Sequence, residues 1–277
     1  MSRTVKSVAN GIATSDGAGV ALTRIIGQPA LPRLDPFLML DYFGSEEATD
    51  YIAGFPSHPH RGFQTVTYML AGRMRHRDSV GNDGVIETGG IQWMNAGRGI
   101  IHEEMPEQKE GLLRGFQLWV NLPAEQKMSA PGYQDIPPSE VPIVNKPGVN
   151  VHVLAGNYDG ATGPVTGSPV SPHFYDLRFT TQDSAEPLVV PLPASHSAFV
   201  YCYEGVVSVA GYTLTAGTLA VLTDGDSVSI DTPKGGKAIL VAGEPIGEPV
   251  VQYGPFVMNT EAEIHQALHD YQTGRLA

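Results

Sequence analysis

The stretch Phe55-Pro56-Ser57-His58-Pro59-His60-Arg61-Gly62-Phe63-Gln64-Thr65-Val66-Thr67-Tyr68 carries both the fold and the chemistry of this chain. Its second half opens a run rich in β-formers, Gln64 to Ala71, that ends at Gly72 and predicts a strand. Its first half sets His58 and His60 two residues apart. In extended chain, side chains alternate faces with a period of two, so both imidazoles point one way and Pro59 the other. Roughly forty residues later comes His102-Glu103-Glu104. By the same rule His102 and Glu104 share a face while Glu103 looks away. If the two strands are neighbours in a barrel, three imidazoles and one carboxylate converge. Such a set suits Fe(II), Ni(II), Cu(II), Mn(II) or Zn(II). Four protein ligands on an octahedral ion would leave two positions for water, substrate or dioxygen. An isolated His-x-His is more often a pair of hydrogen-bonded turn histidines. Here the second pair lies at a distance that several strands would span, and both pairs abut Gly-rich turns, which favours the metal.

Working outward, strands follow one another with turn punctuation. Arg73 to Asp78 continues the first strand, and Gly81-Asn82-Asp83-Gly84 reads as a hairpin turn. Gly115 to Val120, Val149 to Leu154 and Phe199 to Tyr203 alternate likewise, and short strands fill Val206 to Val241. The 32 Gly and 22 Pro of the 277 residues suit short strands and tight turns. Helical periodicity is scarce. The C-terminus is the exception: Thr260 with Glu261 and Glu263 gives an N-cap and an acidic first turn, and Ile264, Ala267, Leu268 and Tyr271 share a face. A short helix is expected near Pro123. Pro131, Pro137, Pro138, Pro142 and Pro147 mark a linker, which divides the chain into residues 1–133, a linker at 134–147, and 148–277 with the terminal helix. The halves echo each other weakly, Tyr68-Met69-Leu70-Ala71-Gly72 against Tyr201-Cys202-Tyr203-Glu204-Gly205.

The formal charge of −12 argues against binding nucleic acid, which is held by Lys and Arg. Arg73, Arg75 and Arg77 alternate with Met74 and His76. This pattern is read as a solvated charged face with Met74 and His76 inward. One cysteine forbids an intramolecular disulfide and a thiolate-rich metal site. Cys202 reads as a small buried residue. His265 and His269 have a metal-clamping spacing but lack the Glu of an H-E-x-x-H motif, so no metal is assigned to them. Gly97-Arg98-Gly99 leads into β-rich sequence, so it is no phosphate loop. Met1 to Asn10 carry two cations but no apolar h-region, and no apolar run reaches membrane length, so the expected location is the cytoplasm.

The opening stretch resembles the first cupin motif as the pirin family writes it. Gln92-Trp93-Met94-Asn95-Ala96-Gly97-Arg98-Gly99-Ile100-Ile101-His102-Glu103-Glu104-Met105-Pro106 resembles the second. The likeness extends to Leu34-Asp35-Pro36-Phe37-Leu38, to Gln117-Leu118-Trp119-Val120-Asn121-Leu122, and to Gly254-Pro255-Phe256-Val257-Met258-Asn259-Thr260. It implies an all-β bicupin: two jelly-roll barrels face to face, with one metal, Fe(II) first among the ions above, in the N-terminal barrel. The family's ligand pattern falls on His58, His60, His102 and Glu104. Gln64 stands where many relatives have Glu, which would lower the charge near the metal. His196 matches the first motif's place in the second half but has no His-x-His around it, so that barrel is expected to be metal-free.

The resulting expectation is a flavonol dioxygenase of the quercetin 2,3-dioxygenase type. Glu104 would act as general base for the substrate hydroxyl, and dioxygen would be the co-substrate. Phe55, Met74 and Trp119 are candidates for the apolar pocket wall, and Gln117 for a polar contact. The alternative is a non-catalytic, iron-binding, redox-sensitive regulator that binds a protein partner, the role associated with eukaryotic members.

Overall fold

Strand follows strand from Val5–Asn10 to Phe256–Met258, and among the described residues the single α-helix is Glu261–Gln272. The computed structural model describes residues 1–180 and 186–277. Its architecture is the all-β one expected, with neighbouring strands paired antiparallel. The helix begins as its sequence requires. The Thr260 side chain accepts from the Glu263 backbone and the Glu263 carboxylate reaches back to the Thr260 backbone, a complete capping box. Its Ile264 and Ala267 are buried, whereas Tyr271 is exposed. The helix expected near Pro123 is a 3-10 turn, Ala124–Gln126.

The chain divides into two compact units, and the division is not linear in sequence. One unit combines Met1–Gly11 with Ser139–Pro245, and the other combines Ile12–Pro138 with Ile246–Ala277. The terminal helix therefore groups with the N-terminal half, not with residues 148–277, and the first strand groups with the C-terminal half. Pairing is the physical cause. Val5–Asn10 adds to the edge of Thr218–Leu222. At the other end, Phe256, Met258, Ile264, Ala267 and Leu276 cluster beside Ile101. Gly62 makes the return possible. It sits at φ +89, and a Cβ there would strike the Val257 carbonyl. The segment 134–147 is also more ordered than a plain linker. Gly132–Ile136 pairs with Ile91–Asn95 in one unit and Ile143–Lys146 pairs with Val149–Ala155 in the other. Its prolines lie in the intervening turns and strand ends, where no ladder donor is needed.

The Ile12–Pro138 unit has a seven-stranded sheet in the order Gly132–Ile136, Ile91–Asn95, Phe63–Ala71, Leu113–Asn121, Phe37–Ser45, Val20–Ile26, Ile12–Asp16. A four-stranded sheet runs Phe55–His60, Ile100–Pro106, Arg73–Asp78, Asp83–Glu87. The Ser139–Pro245 unit is a ten-stranded sheet built around the long strand Ser197–Val209 and filled by a continuous apolar core. No helix among the described residues is long and apolar enough to cross a membrane.

Candidate metal centre

The two histidine-bearing segments are adjacent strands. Phe55–His60 and Ile100–Pro106 pair antiparallel, with His102 directly opposite His58 and Ile100 opposite His60. Along Ile100–Pro106, Ile100, His102 and Glu104 are buried while Ile101 and Glu103 are only half-buried, the alternation that period two requires. The ligand nitrogens of His58, His60 and His102 lie within 4.8 Å of one another. His58 Nδ1 is 2.8 Å from the Pro56 carbonyl, which can only accept, so Nδ1 carries the proton and Nε2 presents a lone pair. That Nε2 stands 3.1 Å from His60 Nε2. Two nitrogens each about 2.1 Å from one ion and at right angles would be about 3.0 Å apart. His102 Nε2 is buried without a hydrogen-bond partner, an orphan that an ion would satisfy. Burial, with His58 beside it, holds His60 well below the ordinary imidazole pKa. Burial, with His60, His58 and His76 around it, does the same to His102. Neutral imidazoles are the form that binds metal, so the residues present fit a first-row divalent ion.

Glu104 is buried and lines the same cavity as His58 and His60, although its carboxylate is not among the atoms gathered within 4.8 Å. Thr67 Oγ1 lies 2.7 Å from Glu104 Oε1, and Gln117 Nε2 donates to Oε2 at 3.0 Å. These two partners belong to a polar row across the large sheet. Directly opposed residues share a face, and the pairing runs Arg24, Asp41, Gln117, Thr67, Gln92, Asp135. Arg24 clamps Asp41 with two bonds, Nε to Oδ1 at 2.9 Å and Nη2 to Oδ2 at 2.7 Å, and reaches Asp16 at 2.9 Å. Burial raises the Asp41 pKa despite the Arg24 bonds.

The cavity has a volume of about 620 Å³, within the range of small-molecule sites. Phe55, Gln117 and Trp119 line it, as do Leu22, Met39 and Phe43. Met74 does not. It is 1% exposed and packs with Val20, Tyr51, Met69 and Ile86. Inward orientation placed it correctly by face, but its position along the strand sets it in the core instead of the cavity. Gln64 is also reassigned. It alternates with Thr65 and Thr67, so it lies on the opposite face from the hydroxyl that holds Glu104.

Arg73, Arg75 and Arg77 pair with Glu87, with Asp83 and Glu107, and with Asp83 and Glu103. His196 is buried, its ring 5.4 Å from that of His173, and burial lowers its pKa. His265 and His269 are exposed on the helix. Cys202 is buried, and burial pushes its thiol up to about 11.

Sequence reasoning missed two groups at the site. The returning segment supplies Gln252, Gly254 and Pro255 to the cavity wall, and it is fastened by Arg61 to Asp270 at 2.8 Å and by Lys127 Nζ to the Gly62 and Val257 carbonyls. No local pattern signals that return. The other group is His76 with Asp78. Both side chains are fully buried, with Nε2 to Oδ2 at 3.3 Å, and the inward reading of His76 was the available signal.

Comparison with known proteins adds three findings. The family model described as Pirin matches residues 19–120, and that described as the pirin C-terminal cupin domain matches residues 177–277. A pirin-like protein of Caulobacter vibrioides is 49% identical over 275 residues, covering 99% of each chain, and human pirin is 41% identical over 269 residues, covering 94% of this chain and 89% of its own length. The crystal structure of a quercetin 2,3-dioxygenase from Acinetobacter baumannii matches with a TM-score of 0.91 at 33% identity, over 100% of this chain and 99% of the other.

Proposed function

This chain belongs to the pirin family, and from that premise we propose that its Ile12–Pro138 unit houses a metal-dependent dioxygenase site for flavonols of the quercetin type. The observation that carries the reading is the coincidence of three clustered imidazoles, a clamped carboxylate and an aromatic-walled cavity in one place. The likeness to a quercetin 2,3-dioxygenase structure supports the choice of substrate class.

His58, His60 and His102 would hold the ion, with Glu104 available as a fourth ligand. When bound, the metal supplies Lewis acidity to a substrate hydroxyl and lowers its pKa. The rest is done by the chain. Glu104 takes the hydroxyl proton at its carboxylate. Thr67 and Gln117 hold that carboxylate at 2.7 and 3.0 Å, so the base does not need to reorient at the moment of transfer. Phe55, Trp119 and Phe43 give apolar and aromatic surface to a planar polycyclic ligand. Asp41 and Arg24 give the cavity a second polar surface for the substrate's outer oxygens. Iron(II) heads the candidate ions, with nickel, copper, manganese and zinc compatible with the same donors.

The test is oxygen uptake with quercetin by Fe(II)-loaded protein. Wild type is expected to turn over, His102→Ala to lose both metal and uptake, and Glu104→Gln to keep metal while losing about 10²-fold or more in rate, the scale of a general base. Wild-type protein that holds iron without quercetin-dependent uptake overturns the enzyme reading in favour of a metal-bound regulator.

A further inference from the structure

His76 lies behind His102, one strand away from the cavity. His102 Nδ1 and His76 Nδ1 are 3.3 Å apart, and the two rings are 5.1 Å apart between centroids. On its far side His76 Nε2 is 3.3 Å from Asp78 Oδ2. Asp78 is itself anchored by the turn that follows it, accepting from the backbone of Val80 at 3.0 Å and Asn82 at 2.9 Å, and from Asn82 Nδ2 at 2.7 Å. With His76 uncharged, the arrangement allows one consistent set of protons. A carboxylate only accepts, so His76 Nε2 carries hydrogen and Nδ1 is left as the acceptor. His102 Nδ1 must then donate, which leaves the buried, partnerless His102 Nε2 as a lone pair.

The surroundings of His76 are shaped to keep it there. Tyr133 lies against its ring, 5.0 Å between centroids and 35° between planes, and accepts from Gln92 at 3.1 Å. Gly84 is the residue paired with His76 on the next strand. A Cβ on Gly84 would come within 2.6 Å of Asp135 and 2.7 Å of the Tyr133 hydroxyl. The absent side chain is what lets Tyr133 cover the imidazole.

We propose that His76, oriented by Asp78, is a positioning residue of the metal centre that fixes His102 in the tautomer whose Nε2 faces the ion. The inference rests on the metal-site reading above, not on the flavonol activity. Outer partners of ligating histidines commonly contribute 10- to 100-fold to metal affinity.

The experiment measures Co(II) and Ni(II) affinity of the full chain by chelator competition, together with the visible ligand-field spectrum of the Co(II) form. His76→Leu is expected to bind each ion 10- to 100-fold more weakly and with an altered Co(II) spectrum. His76→Asn, which restores an acceptor oxygen at the δ position, is expected to recover most of both. Thermal unfolding of the apo variants separates packing from positioning. Equal losses in the Leu and Asn variants, or wild-type affinity in His76→Leu, overturn the proposal while leaving the three-histidine site intact. Failure of wild type to bind either ion overturns the site itself.

Discussion

Across the inner face of the Ile12–Pro138 unit the paired positions read Arg24, Asp41, Gln117, Thr67, Gln92. In the Ser139–Pro245 unit the core is built from Val151, Val153, Leu177, Val200, Cys202, Leu214, Ala220 and Leu240. Both units are antiparallel β-structures with similar Tyr-x-x-x-Gly stretches, Tyr68 to Gly72 and Tyr201 to Gly205. One is filled with apolar side chains and gains its stability from their burial. The other keeps a cavity where Arg24 is paired with Asp41 and Glu104 with Thr67 and Gln117, while His102 Nε2 is left without a partner. The contrast is between inner positions filled by apolar side chains and inner positions that leave a cavity with polar groups around it. His196 illustrates the converse. It is buried beside His173 with no third ligand gathered around it among the described residues.

The comparison can be broken in three ways. Leu240→Ala removes buried core volume from the filled unit and should lower stability by about 2–5 kcal/mol, read by thermal unfolding. Metal stoichiometry of the folded protein should not change. If the ion is lost with it, the two units are not separable in function. Next in size is Lys127→Met. The Lys127 ammonium is almost fully buried and donates to Gly62, Asn121 and Val257, and removing it strands those acceptors at a cost of about 1–3 kcal/mol. The same change should raise the quercetin KM, because the Val257 strand follows directly on the segment that lines the cavity. A lower melting temperature with an unchanged KM would mean that the return segment is only structural.

The smallest effect belongs to Cys202. Its thiol, pushed up by burial to about 11 from 9.0, keeps a proton that the unfolded chain gives up. Its contribution is fully present below pH 9 and is lost as pH rises towards 11. Denaturant titrations should therefore show wild type losing about 1 kcal/mol more per pH unit in that window than Cys202→Ala. Parallel curves for the two proteins would mean that solvent reaches the thiol in the folded unit.

Much of this protein was legible before its strands were paired. The His58/His60 and His102/Glu104 faces follow from period two alone, because in an extended chain the side-chain direction is a local property. The capped helix at Thr260 is equally local, since its signals lie within one turn. Phe55, Gln117 and Trp119, singled out from the sequence, line the cavity. Met74 does not: alternation tells which face a residue takes but not how far along the strand the cavity ends. Gln64 was misplaced by motif likeness, and counting from Thr67 would have set it on the other face.

The sequence by itself determined the strand-rich fold, the shared faces of His58 with His60 and of His102 with Glu104, and the capped terminal helix, all of which depend on residues near one another in the chain. Tertiary structure alone decided that residues 246–277 close on the first unit while residues 1–11 join the second, that Thr67 and Gln117 hold Glu104, and that Asp78 and His76 stand behind His102. Those outcomes depend on which distant strands pair and in what register, and local periodicity contains neither.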